Sequence, residues 1–103
     1  MKGNGDFSIG STVWPGTSKL IEEMGELHQV LGKLIAIAGD TEHWSGNLRM
    51  KLVEEIGDVC AAIRFFERNM TPLESTLITN RTIEKTRLFE KWHSEQPVDK
   101  PKT

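Results

Sequence analysis

The segment LIEEMGEL, Leu20 to Leu27, returns thirty-two positions later as LVEEIGDV, Leu52 to Val59. Each copy reads as about two turns of an apolar helical face with carboxylates built into it. On a helical wheel turning 100° per residue, Glu23 falls about 60° from Leu20, between Leu27 and Val30 and inside the apolar arc. Glu26 falls at its border and Glu22 just outside. The second copy repeats this: Glu55 lies inside the arc set by Leu52, Phe66 and Ala62, Asp58 at its edge and Glu54 outside. Whatever the chain folds into must therefore satisfy several acids in a seam that hydrocarbon would otherwise fill.

The rest of the chain narrows the fold. Leu20, Met24, Leu27, Leu31, Leu34 and Ala38 recur at three-and-four spacing, which predicts a helix over 17–38 with Gly39 as its stop. GDTEHWSGN, Gly39 to Asn47, is turn chemistry around Trp44. Leu52, Ile56, Val59, Ile63 and Phe66 predict a second helix over 48–68. Thr71, Pro72 and Glu74 spell a capping box with proline at the first helical position, so a third helix begins there and runs to about Ser94. No strand signal occurs, and the expected class is all-α: an antiparallel helical bundle of three main helices per chain. Residues 1–16, rich in glycine and without helical period, are expected to be a flexible arm. The helical domain spans 17–95, and 96–103, with Pro97 and Pro101, is a disordered tail.

Composition excludes more than it selects. The chain has 103 residues, enough for one domain but short of a large core, and a partner subunit is a common remedy. A formal charge of -2 argues against a binder of nucleic-acid polymers. No apolar run approaches the ~20 residues of a membrane span, and the first ten residues lack a signal peptide's apolar stretch. The single cysteine, Cys60, is expected as a small core residue in a reducing cytoplasm.

Ionised carboxylates in a packed seam are costly unless paired or coordinated, and several together repel one another. A hard cation is the economical remedy, since oxygen ligands are what Mg²⁺ and Ca²⁺ prefer. Residues three apart are neighbours on a helix, so Glu23 with Glu26, and Glu55 with Asp58, each form a clamp, and antiparallel packing would let the two clamps meet. The plainer alternatives are solvated surface acids or a buried salt-bridge network. Helix three carries the opposite sign: Arg81 and Lys85 fall within the arc of Leu77, Ile78, Leu88, Phe89 and Trp92. They are placed to neutralise the acids, or to bind an anion that the metal also holds. Trp14, Trp44 and His28 are candidates for contact with a base, with packing or loop anchorage as the simpler role.

Glu22, Glu23 and Glu26 followed by Glu55 and Asp58 resemble the EExxE and ExxD signature of the MazG-like nucleoside triphosphate pyrophosphohydrolases. WSGNLRMKLVEEIGDVCAAI is similar to the second-helix region of short, single-domain members, including those of phages. The likeness covers roughly 17–93. It implies a MazG-like all-α fold completed by oligomerisation, usually a homodimer or homotetramer with active sites between helices. It further implies Mg²⁺-dependent hydrolysis of (d)NTPs to (d)NMP and pyrophosphate, with Mn²⁺ as a possible substitute. On this reading Glu23, Glu26, Glu55 and Asp58 hold the metal, and Glu22 orients or deprotonates the water. Arg81 and Lys85 grip the phosphates. The family commonly has Asn and Lys at N-x-x-K-like spacing on its last helix; Asn80 stands five residues before Lys85 here, a departure from that pattern. Phosphoribosyl-ATP pyrophosphohydrolase and all-α dUTPase are alternative activities, and a helical interaction module is the non-enzymatic one. A ferritin-like di-metal protein would need two E-x-x-H motifs, and only Glu90 to His93 offers one.

Overall fold

The computed structural model describes residues 6–39 and 47–97; Trp44 and most of the expected tail lie outside the described residues. Among the described residues there are three α-helices, one short 3₁₀ turn and no strand. None of these helices is long and apolar enough to cross a membrane. The chain divides into two compact units, Met1–Asn69 and Met70–Thr103.

In the first unit, α1 (Thr17–Ala36) and α2 (Leu48–Phe66) form an antiparallel pair. The start of α1 lies beside the end of α2: Trp14 stacks on Phe66 at 5.9 Å, and Asn69 donates its side-chain amide to the Pro15 carbonyl at 3.1 Å. Asn47 caps α2 by accepting from the Met50 amide. At its C-terminus α1 stops two residues before the expected Ala38, in a reverse turn whose geometry explains the stop. The Gly39 amide donates to the Leu34 carbonyl and the Ala38 amide to that of Ile35, with Ala38 and Gly39 at φ 54° and 83°. That is the Schellman arrangement, with alanine at the left-handed position glycine usually takes.

The seam between α1 and α2 has a period nearer 3.5 than 3.6. Leu20, Glu23, Leu27, Val30, Leu34 and Ile37 are the half-buried or buried positions of the first strip. Leu48, Leu52, Glu55, Val59, Ala62 and Phe66 are their counterparts on α2. Alternating steps of three and four are the geometry of a two-helix coiled-coil contact. Met24, Leu31, Ile56 and Ile63, expected on the main stripes, consequently turn outward. Cys60 is likewise exposed, a correction to its expected place in the core, because it sits one step round the helix from seam residue Val59. The packed interior is thin, with Val30, Leu48 and Ala62 the buried hydrophobic residues among those described.

Residues 6–16, expected as an arm, have no helix but make a series of turns on the start of α1. The Gly16 amide donates to the Ser8 carbonyl at 2.9 Å and the Ser18 amide to that of Phe7 at 2.9 Å, while Ser11 is buried. Gly16 closes this segment at φ 94°, where a Cβ would stand 2.8 Å from the Phe65 ring. Both the backbone conformation and the close approach require glycine there.

The second unit is α3 (Pro72–Glu95), which starts as its sequence predicts. Thr71 accepts from the Glu74 amide at 3.1 Å, and Glu74 accepts from the Thr71 amide at 2.9 Å. Gln96 is extended, as a residue before proline prefers, and ends the helix ahead of Pro97. No residue of α3 is buried; Leu73, Leu77, Phe89 and Trp92 are exposed within the chain.

Candidate metal centre

Because α1 and α2 run antiparallel in heptad register, the acids of their second and third turns face each other. Glu23, Glu26, Glu55 and Asp58 each present an oxygen, and these four atoms all lie within 4.8 Å of one another. Oxygens on opposite sides of a divalent ion are separated by twice the metal–oxygen distance, about 4–5 Å for Mg²⁺ or Ca²⁺. The span therefore matches a single ion with little adjustment, and the cluster can bind a metal.

The environment of the two seam acids strengthens that fit. Glu55 is only 3% exposed, and the side chain of Glu23 only 14%. Each carboxylate turns one oxygen toward a lysine on its own helix: Glu23 Oε2 lies 3.8 Å from Lys19 Nζ, and Glu55 Oε1 lies 3.5 Å from Lys51 Nζ. The other oxygen of each, Glu23 Oε1 and Glu55 Oε2, is buried without a hydrogen-bond partner. A buried anionic oxygen without a donor is a standing penalty that coordination to a cation would remove. Glu26 and Asp58 stand at the exposed rim. Repulsion from Glu23, with burial and then Glu55 as lesser causes, raises the Glu26 carboxyl above its ordinary 4.5. Like charges are thus crowded enough to perturb even an outer member.

Glu22 belongs to the same turn of α1 but is exposed and paired with Lys19 at 2.7 Å. That contact raises the Lys19 ammonium above its ordinary value and leaves Glu22 outside the cluster. Beside the acids, a cavity of about 350 Å³ is walled by Ile9, Gly16, Ala61, Ala62 and Phe65, with Lys19, Glu23 and Asp58 at its polar side. Sequence reasoning missed this cavity. Its walls combine one turn of the N-terminal segment with two alanines of α2, and no periodicity links them. Trp14 stacks on Phe66 rather than lining this space, and His28 is exposed on α1.

Asn80, Arg81 and Lys85 belong to the second unit. With Glu84, Arg87 and Lys91 they line an open, mostly basic trough along α3. Arg81, which the wheel turned inward, is exposed and bonded to Glu84 at 2.6 Å, since this helix has no buried face within its own unit. Lys85 is half-buried, its ammonium over the rings of Phe89 and Trp92 at 5.3 and 5.8 Å. Neither comparison with protein-family models nor comparison with curated proteins or solved structures finds a match to this chain.

Proposed function

We propose that the chain is a cytoplasmic, Mg²⁺-dependent nucleotide pyrophosphohydrolase that cleaves (d)NTPs between the α and β phosphates. The observation that supports it is the pair of buried, unpartnered carboxylate oxygens, one from each helix of an antiparallel pair, within a four-acid cluster of metal-binding span. The EExxE and ExxD spacing of those acids carries the MazG-like reading on sequence pattern alone.

In this reading Glu23, Glu26, Glu55 and Asp58 hold the ion. Bound there, Mg²⁺ supplies neutralisation of phosphate charge and polarisation of the α-phosphorus. Glu22, one residue from a ligand yet outside the cluster, receives the proton of the attacking water. The apolar cavity adjoining Glu23 and Asp58 takes the organic part of the substrate. The MazG-like resemblance assigns the β and γ phosphates to Arg81, Lys85 and Asn80 of α3, whose guanidinium and ammonium groups are the partners that phosphate oxygens take.

The thin interior and the exposed apolar residues of α1 and α3 favour a homodimer or homotetramer. Ile21 and Ile35 on α1 are 64% and 81% exposed, and the contact between two helices leaves them uncovered among the described residues. The test is hydrolysis of a panel of nucleotides with and without Mg²⁺, products separated by chromatography. The panel includes dUTP and phosphoribosyl-ATP, which distinguish the related activities. Turnover with Mg²⁺ that chelation abolishes is expected; turnover indifferent to chelation, or none across the panel, counts against the proposal.

A further inference from the structure

The repeat that opens the sequence extends one residue further back than its acids require. It begins Lys19-Leu20 in α1 and Lys51-Leu52 in α2, so each seam acid has a lysine four residues before it on the same helix face. The structure keeps that pairing in both copies, at 3.8 Å to Glu23 and 3.5 Å to Glu55. In both copies the ammonium lies within ion-pair range of one carboxylate oxygen and the other oxygen is buried and unpartnered, although Lys19 also bonds Glu22 at 2.7 Å.

We propose that Lys19 and Lys51 are built-in counter-cations, which compete with a divalent ion for the four-acid cluster and limit it to one ion. The inference rests on the metal-binding reading above. Charge arithmetic supports the limit: the four carboxylates, Glu22 bonded to Lys19, and two ammonium groups leave a net charge of about minus three, which one divalent ion brings to about minus one and a second would carry past neutrality. A second ion would add uncompensated positive charge unless an anionic group such as a phosphate came with it.

A lysine here has two opposing effects on an ion. It orients the carboxylate, which favours binding, and it repels the ion, which opposes binding. Magnitudes decide between them. The side chains of Lys19 and Lys51 are 44% and 58% exposed, and contacts of 3.5–3.8 Å from such flexible groups fix little. Repulsion needs no fixed geometry. An ammonium roughly 6 Å from a doubly charged ion, at the dielectric of water, weakens binding about tenfold, and salt reduces this to about threefold.

The experiment is calorimetric titration of the full chain with Mn²⁺ alone, without nucleotide, at fixed pH and ionic strength. Wild type, Lys51→Met, Lys51→Gln, Lys51→Arg and Lys19→Met are compared, each checked for helical content. Wild type should take up one ion per four-acid cluster. Lys51→Met, Lys51→Gln and Lys19→Met should bind it about three- to tenfold more tightly, while Lys51→Arg, which keeps the charge, stays near wild type. Should Lys19→Met fail to fold, the Lys51 series decides alone. Neutral variants that bind no more tightly than wild type, or a wild type that takes up two ions, overturn this inference and leave the metal centre standing. A wild type that binds no Mn²⁺ overturns the metal centre and this inference together.

Discussion

Replacing Glu55 by glutamine should stabilise the protein without metal and destroy the advantage it gains from metal. Glu55 is buried, with one oxygen unpartnered and the other 3.5 Å from an exposed lysine ammonium. Three further carboxylates present oxygens within 4.8 Å of its own. At such separations each pairwise repulsion is about 1 kcal/mol in water and about 3 kcal/mol at an effective dielectric of 20. Neutralising Glu55 removes three of these, loses an ion pair worth about 0–1 kcal/mol, and leaves a buried amide, which is cheaper to desolvate than a carboxylate. A net gain of about 2 kcal/mol follows, or roughly 8–16 °C in Tm for a domain of this size. With Mg²⁺ at a hundred times its dissociation constant, wild type gains about 2.7 kcal/mol that the variant lacks, so the order of stabilities reverses. Thermal melts with EDTA and with Mg²⁺, at one protein concentration, read both effects. A variant less stable than wild type in EDTA, or equally stabilised by Mg²⁺, would refute the reasoning.

Two positions of positive φ, Gly16 and Ala38, test the backbone account in opposite directions. Gly16→Ala should cost about 2–4 kcal/mol, from a positive φ and a Cβ 2.8 Å from Phe65, whereas Ala38→Gly should gain about 0.5–1 kcal/mol by relieving a left-handed alanine; denaturant titration measures both. Glu26 sets a pH dependence of unusual sign. Its folded-state pKa lies above 4.5, so the folded state holds that proton more tightly, and the resulting stability is complete below 4.5 and lost as pH rises through the folded value. In EDTA, the Tm of Glu26→Gln should therefore draw ahead of wild type as pH rises from about 4 to 7, and a constant difference would contradict this. Sedimentation at low micromolar concentration should show a dimer or larger species; a monomer alone would remove the role given to the exposed faces of α1 and α3.

Much of this architecture is written in the chain as local chemistry. Thr71, Pro72 and Glu74 fix the start of α3 because both halves of a capping box involve neighbours in sequence. Gly39 marks the end of α1 because a left-handed turn there needs little beyond the backbone. Glu23 and Glu55 could be assigned to the seam because their angular position survives the small change of period from 3.6 to 3.5. Met24, Leu31, Ile56 and Ile63 could not, since they lie where that change decides which way a side chain faces. The turns of 6–16 rest on main-chain hydrogen bonds that carry no side-chain periodicity, which hid both the cavity and the stacking of Trp14 on Phe66. For Arg81 and Lys85, periodicity names a face of α3 without naming what that face meets.

The central claim concerns which bond is cut. The proposed function assigns the metal to acids of α1 and α2 and the distal phosphates to basic groups of α3, and no glycine-rich G-x-x-x-x-G-K-[ST] loop occurs to direct attack at the γ-phosphorus. Hydrolysis of a nucleoside triphosphate in ¹⁸O-water with Mg²⁺, followed by mass spectrometry of both products, tests this most directly. The account predicts monophosphate and pyrophosphate as first products, with the label in the monophosphate. Diphosphate and orthophosphate, or label confined to pyrophosphate, would contradict it.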